Sequence, residues 1–297
     1  MVLERGWLSA NNILFIGAAQ TALVDSGYHT HSEQTIALLR RALAGRPLDW
    51  LINTHLHSDH CGGNAALQAA YPALRTLIPP GQAAQVRDWD AGALSYEPTG
   101  QHCPPFKIDG VLEPGSQLRL GDSDWQVHAA PGHDPHSVVL FEPASRTLIS
   151  ADALWHNGFG VVFPEIEGES GFAEVAATLD LIDSLAPQHV IPGHGAPFDD
   201  VGAALARARS RLAVWRQNPI KHAAHAAKVL LKYKLLELQR APLSDFMRWA
   251  LATPYFALLH DRYFASEPIA VWVGTLVDDL VRAGAAVRQG DMLLDHG

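Results

Sequence analysis

Residues 55 to 60 read His55-Leu56-His57-Ser58-Asp59-His60, and the interpretation of the whole chain starts from this run. It follows a short apolar segment, Trp50-Leu51-Ile52, and two glycines come soon after it. In an extended chain, residues two apart point to the same side, so His55 and His57 can bind one cation. Asp59 and His60 can face a second cation where the chain turns into the next helix. The run therefore predicts a metal site directly after a buried strand.

Three later apolar segments end in the same way, with a potential ligand just after a predicted strand. The segments 125–130, 147–150 and 189–191 lead into His133, Asp152 and His194, and a glycine precedes each of the two histidines. A histidine at one strand end is usually a simple turn residue. Two histidines and a carboxylate that follow successive strands predict one metal cluster, because their side chains would gather at the same end of the sheet.

The order of the predicted elements indicates a layered α+β fold. Short strands at 13–16, 21–24, 50–52 and 75–78 mix with helices at 33–44 and 64–70, and hairpin signals dominate residues 111–149. Strands and helices do not alternate strictly, which favours a sandwich over a doubly wound sheet. After Asp200 the chain becomes rich in Ala, Leu and Arg, and four prolines divide it into helices. We expect a catalytic domain at 1–200 and a helical C-terminal subdomain at 201–297.

Composition narrows the function classes. The chain has 297 residues, 48% of them hydrophobic, and 16 histidines beside 22 Lys plus Arg. A net charge of −9 argues against a general nucleic-acid coat. The two cysteines, Cys61 and Cys103, cannot build a disulfide framework. With no signal peptide or membrane span in the pattern, we expect a cytoplasmic protein.

With these ligand positions in place, the sequence resembles the metallo-β-lactamase superfamily, whose hallmark is HxHxDH followed by a later His, an Asp and a final His. The resemblance covers residues 10–200 and implies an αββα sandwich with the site at the edge of two sheets. It implies that one metal is bound by His55, His57 and His133. It implies that the second is bound by Asp59, His60 and His194, that Asp152 bridges both, and that Asp25 orients ligands.

This ligand set implies two divalent metal ions and hydrolytic chemistry. Zinc is the expected metal, and iron and manganese also accept these ligands. A water bridging two such cations can have its pKa lowered from 15.7 toward ~7, which makes hydroxide available at neutral pH. Asp59 can orient this nucleophile or carry a proton. The expected substrates are esters, thioesters, lactones and amides.

Within the superfamily the pattern is most similar to glyoxalase II-like hydrolases, which cleave acyl-glutathione thioesters, and to acyl-thioesterases and lactonases. Such relatives often read Gly-His-Thr-x-Gly around the middle histidine, whereas this chain has Gly132-His133-Asp134-Pro135-His136. Asp134 and His136 are thereby predicted beside the metals. Each can make a supporting hydrogen bond, and His136 can alternatively donate a proton to the leaving group.

Two further segments bear on the substrate. Residues 155–171 hold Phe159 and Phe163, which together with aromatic residues of the C-terminal helices can line an acyl pocket. Residues 201–243 contain nine Lys plus Arg and one acid. That charge suits a small anionic substrate such as a CoA or glutathione thioester.

Three other functions stay open at this point: a metal-dependent ribonuclease, a mononuclear-iron persulfide dioxygenase, and a binding or regulatory protein. The basic segment lacks the interleaved aromatic residues on which bases stack, which disfavours nucleic acid. The pattern predicts no membrane partner, and it does not address the oligomeric state.

Overall fold

The computed structural model describes residues 1–296. The described chain divides into two compact units. One contains Met1–Leu94 with His102–Ala213, and the other contains Ser95–Gln101 with the residues from Val214 onward. The helix Val201–Gln217 has residues in both units. The domain boundary expected after Asp200 stays a prediction.

The first unit contains two β-sheets. The first sheet has six strands in the order β1-β2-β3-β4-β5-β6. These strands are β1 (Val2–Leu3), β2 (Asn12–Ile16), β3 (Thr21–Val24), β4 (Trp50–Ile52), β5 (Arg75–Ile78) and β6 (Gly110–Val111). The pairs β1–β2 and β2–β3 are antiparallel, and the remaining neighbours are parallel. The carboxyl ends of β3, β4 and β5 therefore lie at one edge.

The second sheet has five strands in the order β11-β10-β9-β8-β7. They are β7 (Gln117–Leu120), β8 (Ser123–Ala129), β9 (Val138–Glu142), β10 (Thr147–Ala151) and β11 (His189–Pro192). Its hairpins are antiparallel, whereas β10 and β11 are parallel. This pairing brings the ends of β10 and β11 together, and those two strands lead into Asp152 and His194.

The core of the first unit lies between the two sheets. Buried residues of the first sheet, such as Val24 and Ile52, form one cluster with Trp125, Val127 and Leu140 of the second. Alternate residues of the same strands point the other way, because successive side chains in a strand face opposite sides. Leu14, Leu23 and Leu51 therefore pack against helices. This layering confirms the predicted α+β sandwich.

The helices of the first unit flank these sheets. They are α1 (Ser32–Leu43), α2 (Ser58–Cys61), α3 (Asn64–Ala70), α4 (Ala83–Asp88), α6 (Phe163–Glu167), α7 (Phe172–Leu185) and most of α8 (Val201–Gln217). The helix α1 places Ile36, Leu39 and Leu43 in the cluster on the outer face of the first sheet, and α3 adds Leu67. The periodicity of residues 33–44 predicted α1, and Ala44 ends it in the left-handed conformation at φ 49°.

The second unit is mainly helical. Its helices are α5 (Tyr96–Thr99), α9 (Pro219–Leu238), α10 (Leu243–Ala252), α11 (Pro254–Leu259) and α12 (Ile269–Arg282). Prolines precede or begin the four longer helices, as predicted. The structure adds a small sheet, β12-β14-β13, formed by Arg240–Pro242, Met292–Asp295 and Ala286–Gln289. The sequence analysis did not predict this sheet, although the Gly290-Asp291 pair between β13 and β14 is a turn signal.

Among residues 1–296, every helix is either too short or too polar to span a bilayer.

A buried histidine in the second unit should make its stability depend on pH. His222 is 2% exposed, and its ring lies 4.6 Å from that of Trp215. Burial, with a smaller effect of His225, lowers the pKa of His222 from 6.5 to about 3. The unfolded chain therefore binds a proton that the folded chain excludes, and stability falls as the pH drops below 6.5. The expected loss is about 1.4 kcal/mol per pH unit between pH 6 and 4.

Urea unfolding followed by circular dichroism at several pH values would measure this slope. His222→Asn should lower the slope of the unfolding free energy against pH by about 1.4 kcal/mol per pH unit, which is the contribution of one proton. His189→Asn is the matched control, since His189 is exposed on the first unit and pairs with Asp199. Identical slopes for the wild type and His222→Asn would contradict the prediction.

Candidate metal centre

The run at residues 55–60 lies where β4 ends. His57 keeps an extended backbone, and α2 begins at Ser58. Asp59 and His60 therefore lie on the first turn of a helix, while His55 and His57 precede it. The change from extended chain to helix at Ser58 divides the four side chains between two groups.

The first group consists of three histidines. One ring nitrogen from each of His55, His57 and His133 lies within 4.8 Å of the others. Nε2 of His55 is 3.1 Å from Nδ1 of His57, which is in turn 2.8 Å from Nε2 of His133. His133 follows β8 through Pro131 and Gly132, so a distant strand supplies the third imidazole.

The second group combines two carboxylates and two imidazoles. Ligand atoms of Asp59, His60, Asp152 and His194 also lie within 4.8 Å of one another. Nε2 of His194 is 3.0 Å from Oδ2 of Asp59. His194 follows β11, and Asp152 follows β10 directly.

Asp152 lies between the two groups. Its Oδ2 is 3.4 Å from Nε2 of His133, which belongs to the first group. Its Oδ1 is 3.4 Å from Nε2 of His60, and its Oδ2 is 3.8 Å from Nε2 of His194. One carboxylate therefore faces three imidazoles from both groups, which is the position that a bridging ligand requires.

Backbone strain marks the approach to Asp152. Ala151 has a φ of 46°, and the pairing between β10 and β11 is irregular between residues 149 and 151. A left-handed conformation costs an alanine about 1–2 kcal/mol and persists where the surroundings fix it. The irregularity redirects the strand end so that Asp152 can turn into the cluster.

Two glycines allow close packing behind the ligands. A Cβ atom at Gly193 would lie 2.2 Å from Oδ1 of Asp152, and one at Gly160 would lie 2.3 Å from Nδ1 of His133. Any side chain at either position would displace a ligand. These glycines therefore fix how tightly the loops can close around the cluster.

A buried aspartate holds His60 from behind. Oδ2 of Asp25 lies 2.7 Å from Nδ1 of His60 and accepts the hydroxyl hydrogen of Thr54 at 2.8 Å. Oδ1 of Asp25 accepts the backbone N–H of Thr54 at 2.9 Å. Asp25 is 1% exposed, with a φ of 58°. A carboxylate on the far nitrogen fixes the orientation of an imidazole ligand.

Burial keeps two of the histidines neutral. It lowers the pKa of His55 well below its usual value, and the surrounding imidazoles add to this effect. Burial, with His133, lowers the pKa of His57 from 6.5 to about 4. At neutral pH both rings therefore present an unprotonated nitrogen, which is the form that binds a cation.

The second group has a negative potential. Burial opposes ionisation of Asp152, but His60 and His194 outweigh it, and the pKa of Asp152 falls well below its usual value. Burial likewise opposes ionisation of Asp59, and His60 and His194 nevertheless lower the pKa of that carboxyl. Burial disfavours protonation of His60, yet Asp152, Asp25 and Asp59 raise its pKa well above 6.5. A potential that holds a proton at His60 also attracts a metal cation.

The donor atoms fit divalent cations. Nε2 of His60 and Nδ1 of His194 are buried, and neither has a hydrogen-bond partner among the described residues. Leaving a buried polar atom unsatisfied costs about 1–3 kcal/mol. Imidazole nitrogens and carboxylate oxygens are ligands of Zn²⁺ and of other first-row metals. A His/Asp cluster with these properties suggests bound divalent metal ions.

Of the residues predicted beside the site, Asp134 contacts the first group, and the backbone of His136 contacts Asp134. Oδ2 of Asp134 is 3.9 Å from Nε2 of His57, and Oδ1 accepts the backbone N–H of His136 at 2.8 Å. The ring of His136 packs over Gly81: a Cβ atom added to Gly81 would lie 2.1 Å from Nδ1 of His136. Sγ of Cys61 is buried 3.8 Å from Sγ of Cys103. The proton-donating role of His136 stays a prediction.

The sequence analysis missed two residues that support the cluster. Nε1 of Trp155 donates to Oδ1 of Asp152 at 3.0 Å. The side-chain amide of Asn11 donates to the carbonyl oxygens of Pro192 and Gly195, on either side of His194. Trp155 is three residues from Asp152 and could have been suspected as a local partner. Asn11 carries no such local signal, because its partners are more than 180 residues away.

The basic segment at 201–243 is less available for a ligand than its composition suggests. Five of its nine cations have acidic partners within 4.0 Å: Arg207, Arg209, Lys228, Lys232 and Lys234. Arg209 alone contacts both Asp180 and Asp183. Much of the positive charge is thus neutralised within the chain, which weakens the argument for an anionic substrate.

Comparison with known proteins agrees with this geometry. A family model described as the metallo-beta-lactamase superfamily matches residues 5–194. The hydroxyacylglutathione hydrolase of Anaeromyxobacter dehalogenans is 32% identical over 162 residues, which cover 54% of this chain and 52% of that protein. Acyl-coenzyme A thioesterase MBLAC2 of Bos taurus is 26% identical over 223 residues, with 68% and 78% covered. The chain spans about half the length of the hydroxyacylglutathione hydrolases it matches.

Solved structures share the architecture. A metallo-beta-lactamase family protein from Thermus thermophilus has a TM-score of 0.59 at 18% identity, covering 100% of this chain and 98% of that chain. The protein TTHA1623, whose structure is of a di-iron-bound form, has a TM-score of 0.56 at 26% identity, covering 70% and 98%. The first likeness concerns the fold alone.

Proposed function

The chain belongs to the metallo-beta-lactamase superfamily, and from this we propose that it is a metal-dependent hydrolase of acyl thioesters. The observation that carries the proposal is Asp152, whose carboxylate faces imidazoles of both ligand groups. We assign His55, His57 and His133 to one divalent cation and Asp59, His60 and His194 to a second, with Asp152 shared.

The side chains of this site have separable tasks in the proposed reaction. When bound, the two cations would polarise the thioester carbonyl and lower the pKa of water so that hydroxide is available at neutral pH. Asp25 keeps His60 oriented, and Trp155 keeps Asp152 oriented, through the hydrogen bonds described above. We propose Asp59 as the residue that orients the nucleophile, because its carboxylate is the more exposed of the two in its group, at 14% against 6%.

The thioester class follows from what the relatives have in common. The matched proteins are named for hydrolysis of hydroxyacyl-glutathione and of acyl-coenzyme A, which are both thioesters. Zinc is the first expectation for the metal, and the di-iron form of TTHA1623 supports testing iron beside it. The catalytic domain at 1–200, the C-terminal subdomain at 201–297, the anionic carrier and the cytoplasmic location remain parts of this proposal.

The experiment that tests the proposal compares leaving groups on the metal-loaded protein. We expect kcat/KM of ~10⁴ M⁻¹s⁻¹ or more on a glutathione or CoA thioester and far lower values on penicillins and cephalosporins. We expect this selectivity for thioesters over β-lactams because the amide nitrogen of a lactam is a poorer leaving group than a thiolate. Dialysis against a chelator should abolish the activity, and added Zn²⁺ or Fe²⁺ should restore it.

The two carriers separate the substrate possibilities. Faster hydrolysis of the CoA ester than of the glutathione ester would place the protein beside MBLAC2, and the reverse would place it beside the hydroxyacylglutathione hydrolases. A kcat/KM on a β-lactam that equals or exceeds the value on both thioesters would overturn the assignment.

A further inference from the structure

Aromatic side chains lie at both ends of the ligand cluster. The indole of Trp7 stacks on the imidazole of His194, with centroids 5.3 Å apart and planes 10° from parallel. Trp155 meets both of these rings edge-on, at 5.4 and 5.5 Å. At the other end, Phe163 contacts His57 edge-on at 5.0 Å. The cluster is thus flanked by apolar surface.

Trp7 is exposed in a way that sets it apart. It is 58% exposed, whereas the other seven tryptophans, all of which lie within residues 1–296, are buried or half-buried. Each Å² of apolar surface that stays in water loses about 25 cal/mol of the stabilisation that burial would give. One face of its indole rests on His194, and more than half of the side chain's surface stays available beside the ligands.

The backbone holds Trp7 in this place. The N–H of Ala10 donates to the carbonyl oxygen of Asp59 at 3.0 Å, and the N–H of Asn11 donates to that of Gly193 at 2.7 Å. A turn closes from the N–H of Ser9 to the carbonyl of Gly6 at 3.0 Å. The segment 6–11 is therefore tied to the helix α2, which carries Asp59, and to the loop that carries His194. Because the backbone already holds this ring in place, binding of a ligand to it costs little additional conformational entropy.

We propose that Trp7 is a specificity-determining residue that binds a bulky apolar acyl group, an aromatic ring above all, on its open face. Aromatic pairs prefer offset-stacked or edge-on contacts, and the flat indole offers such a surface. The inference rests on the proposed thioester hydrolysis and names the acyl class that the reaction favours. Acetyl, which carries only a methyl group beyond the carbonyl carbon, serves as the reference acyl group.

The kinetic test uses phenylacetyl and acetyl thioesters of one small thiol, N-acetylcysteamine. Wild-type protein should prefer the phenylacetyl ester by at least tenfold in kcat/KM. Trp7→Ala should lower that preference by about tenfold, while Trp7→Phe, which keeps a ring, should stay within threefold of the wild type. Ile16→Ala is the matched control, because Ile16 is an exposed apolar residue of β2, 40% accessible. Its preference should not change.

Two further measurements separate recognition from damage to the cluster. The metal content of Trp7→Ala should equal that of the wild type. Phenylacetate should quench the tryptophan fluorescence of the wild type, with a quench at least fivefold larger than that of Trp7→Ala, and acetate should quench neither protein.

The two proposals fail differently. If no thioester is hydrolysed, the proposed function fails, and the phenylacetate measurement still decides the role of Trp7. If Trp7→Ala slows both acyl esters equally, or binds phenylacetate as the wild type does, Trp7 is not a specificity residue. If the effect follows the thiol rather than the acyl group, Trp7 binds the leaving group and the inference is overturned.

Discussion

Replacement of Asp152 by alanine is expected to remove at least one metal ion per chain and to lower kcat by ~10³-fold or more. The physical reason is the position of this carboxylate, which faces His60, His133 and His194 at 3.4 to 3.8 Å. Without its charge the two groups keep a single carboxylate, that of Asp59, and cation affinity falls because charge balance at the site is lost.

Elemental analysis of protein purified without chelators, beside thioester kinetics, would measure both effects. Asp199→Ala is the matched control: Asp199 is exposed and pairs with His189 on the same unit, so the metal content and kcat should not change. Full metal content with undiminished turnover in Asp152→Ala would show that the bridge is misassigned. Two metals in the wild type and one in the variant would support it.

Asp25→Asn is expected to weaken metal binding by about 10–100-fold while leaving every proposed ligand in place. An amide has a single oxygen, so it cannot replace both Oδ1, which accepts the N–H of Thr54, and Oδ2, which accepts the Thr54 hydroxyl and faces Nδ1 of His60. Whichever way the amide turns, its NH₂ group faces a donor, so His60 is held less firmly and the buried network loses stability, by about 3 kcal/mol or more. Asparagine is the informative replacement because it tolerates the left-handed backbone at φ 58°, whereas alanine would add strain.

Asp49→Asn provides the control for this experiment. Asp49 also accepts hydrogens from a threonine, the N–H and hydroxyl of Thr21, but no ligand of the cluster contacts it in the described structure. Both variants should lose stability in urea unfolding, and only Asp25→Asn should lose metal affinity in competition with a chromophoric chelator. Equal metal affinities would mean that Asp25 is a folding residue alone.

The two groups of candidate ligands could be recognised in the sequence because their signal is local. If extended chain changes to helix within residues 55–60, the four side chains of this run divide between two groups. The structure shows this change, because a helix begins at Ser58. His133, Asp152 and His194 could be proposed as candidates because each lies shortly after the end of an apolar strand. Strand ends gather at a sheet edge for reasons of hydrogen bonding, and a one-dimensional pattern of apolar runs is sufficient to reveal them.

The basic segment and the C-terminal sheet depend on contacts that a local stretch of sequence does not reveal. Counting charges in residues 201–243 predicted a cationic surface, yet Arg209 pairs with Asp180 and Asp183 from a different helix. The strands β13 and β14 have only four residues each and little apolar alternation, so helical composition around them dominated the prediction. In both cases a partner distant in sequence changes what a local segment does.

The sandwich class, the two groups of candidate ligands and the α-helices that follow prolines could be predicted from local sequence, because each depends on periodicity or on contacts between near neighbours. The contact of Asp25 with His60, 35 residues away, the support that Asn11 gives to the loop of His194, and the position of Trp7 on the His194 imidazole are visible only in the folded chain. These contacts join segments whose approach depends on how two whole sheets pack, and packing is a property of the folded chain that no short stretch of sequence encodes.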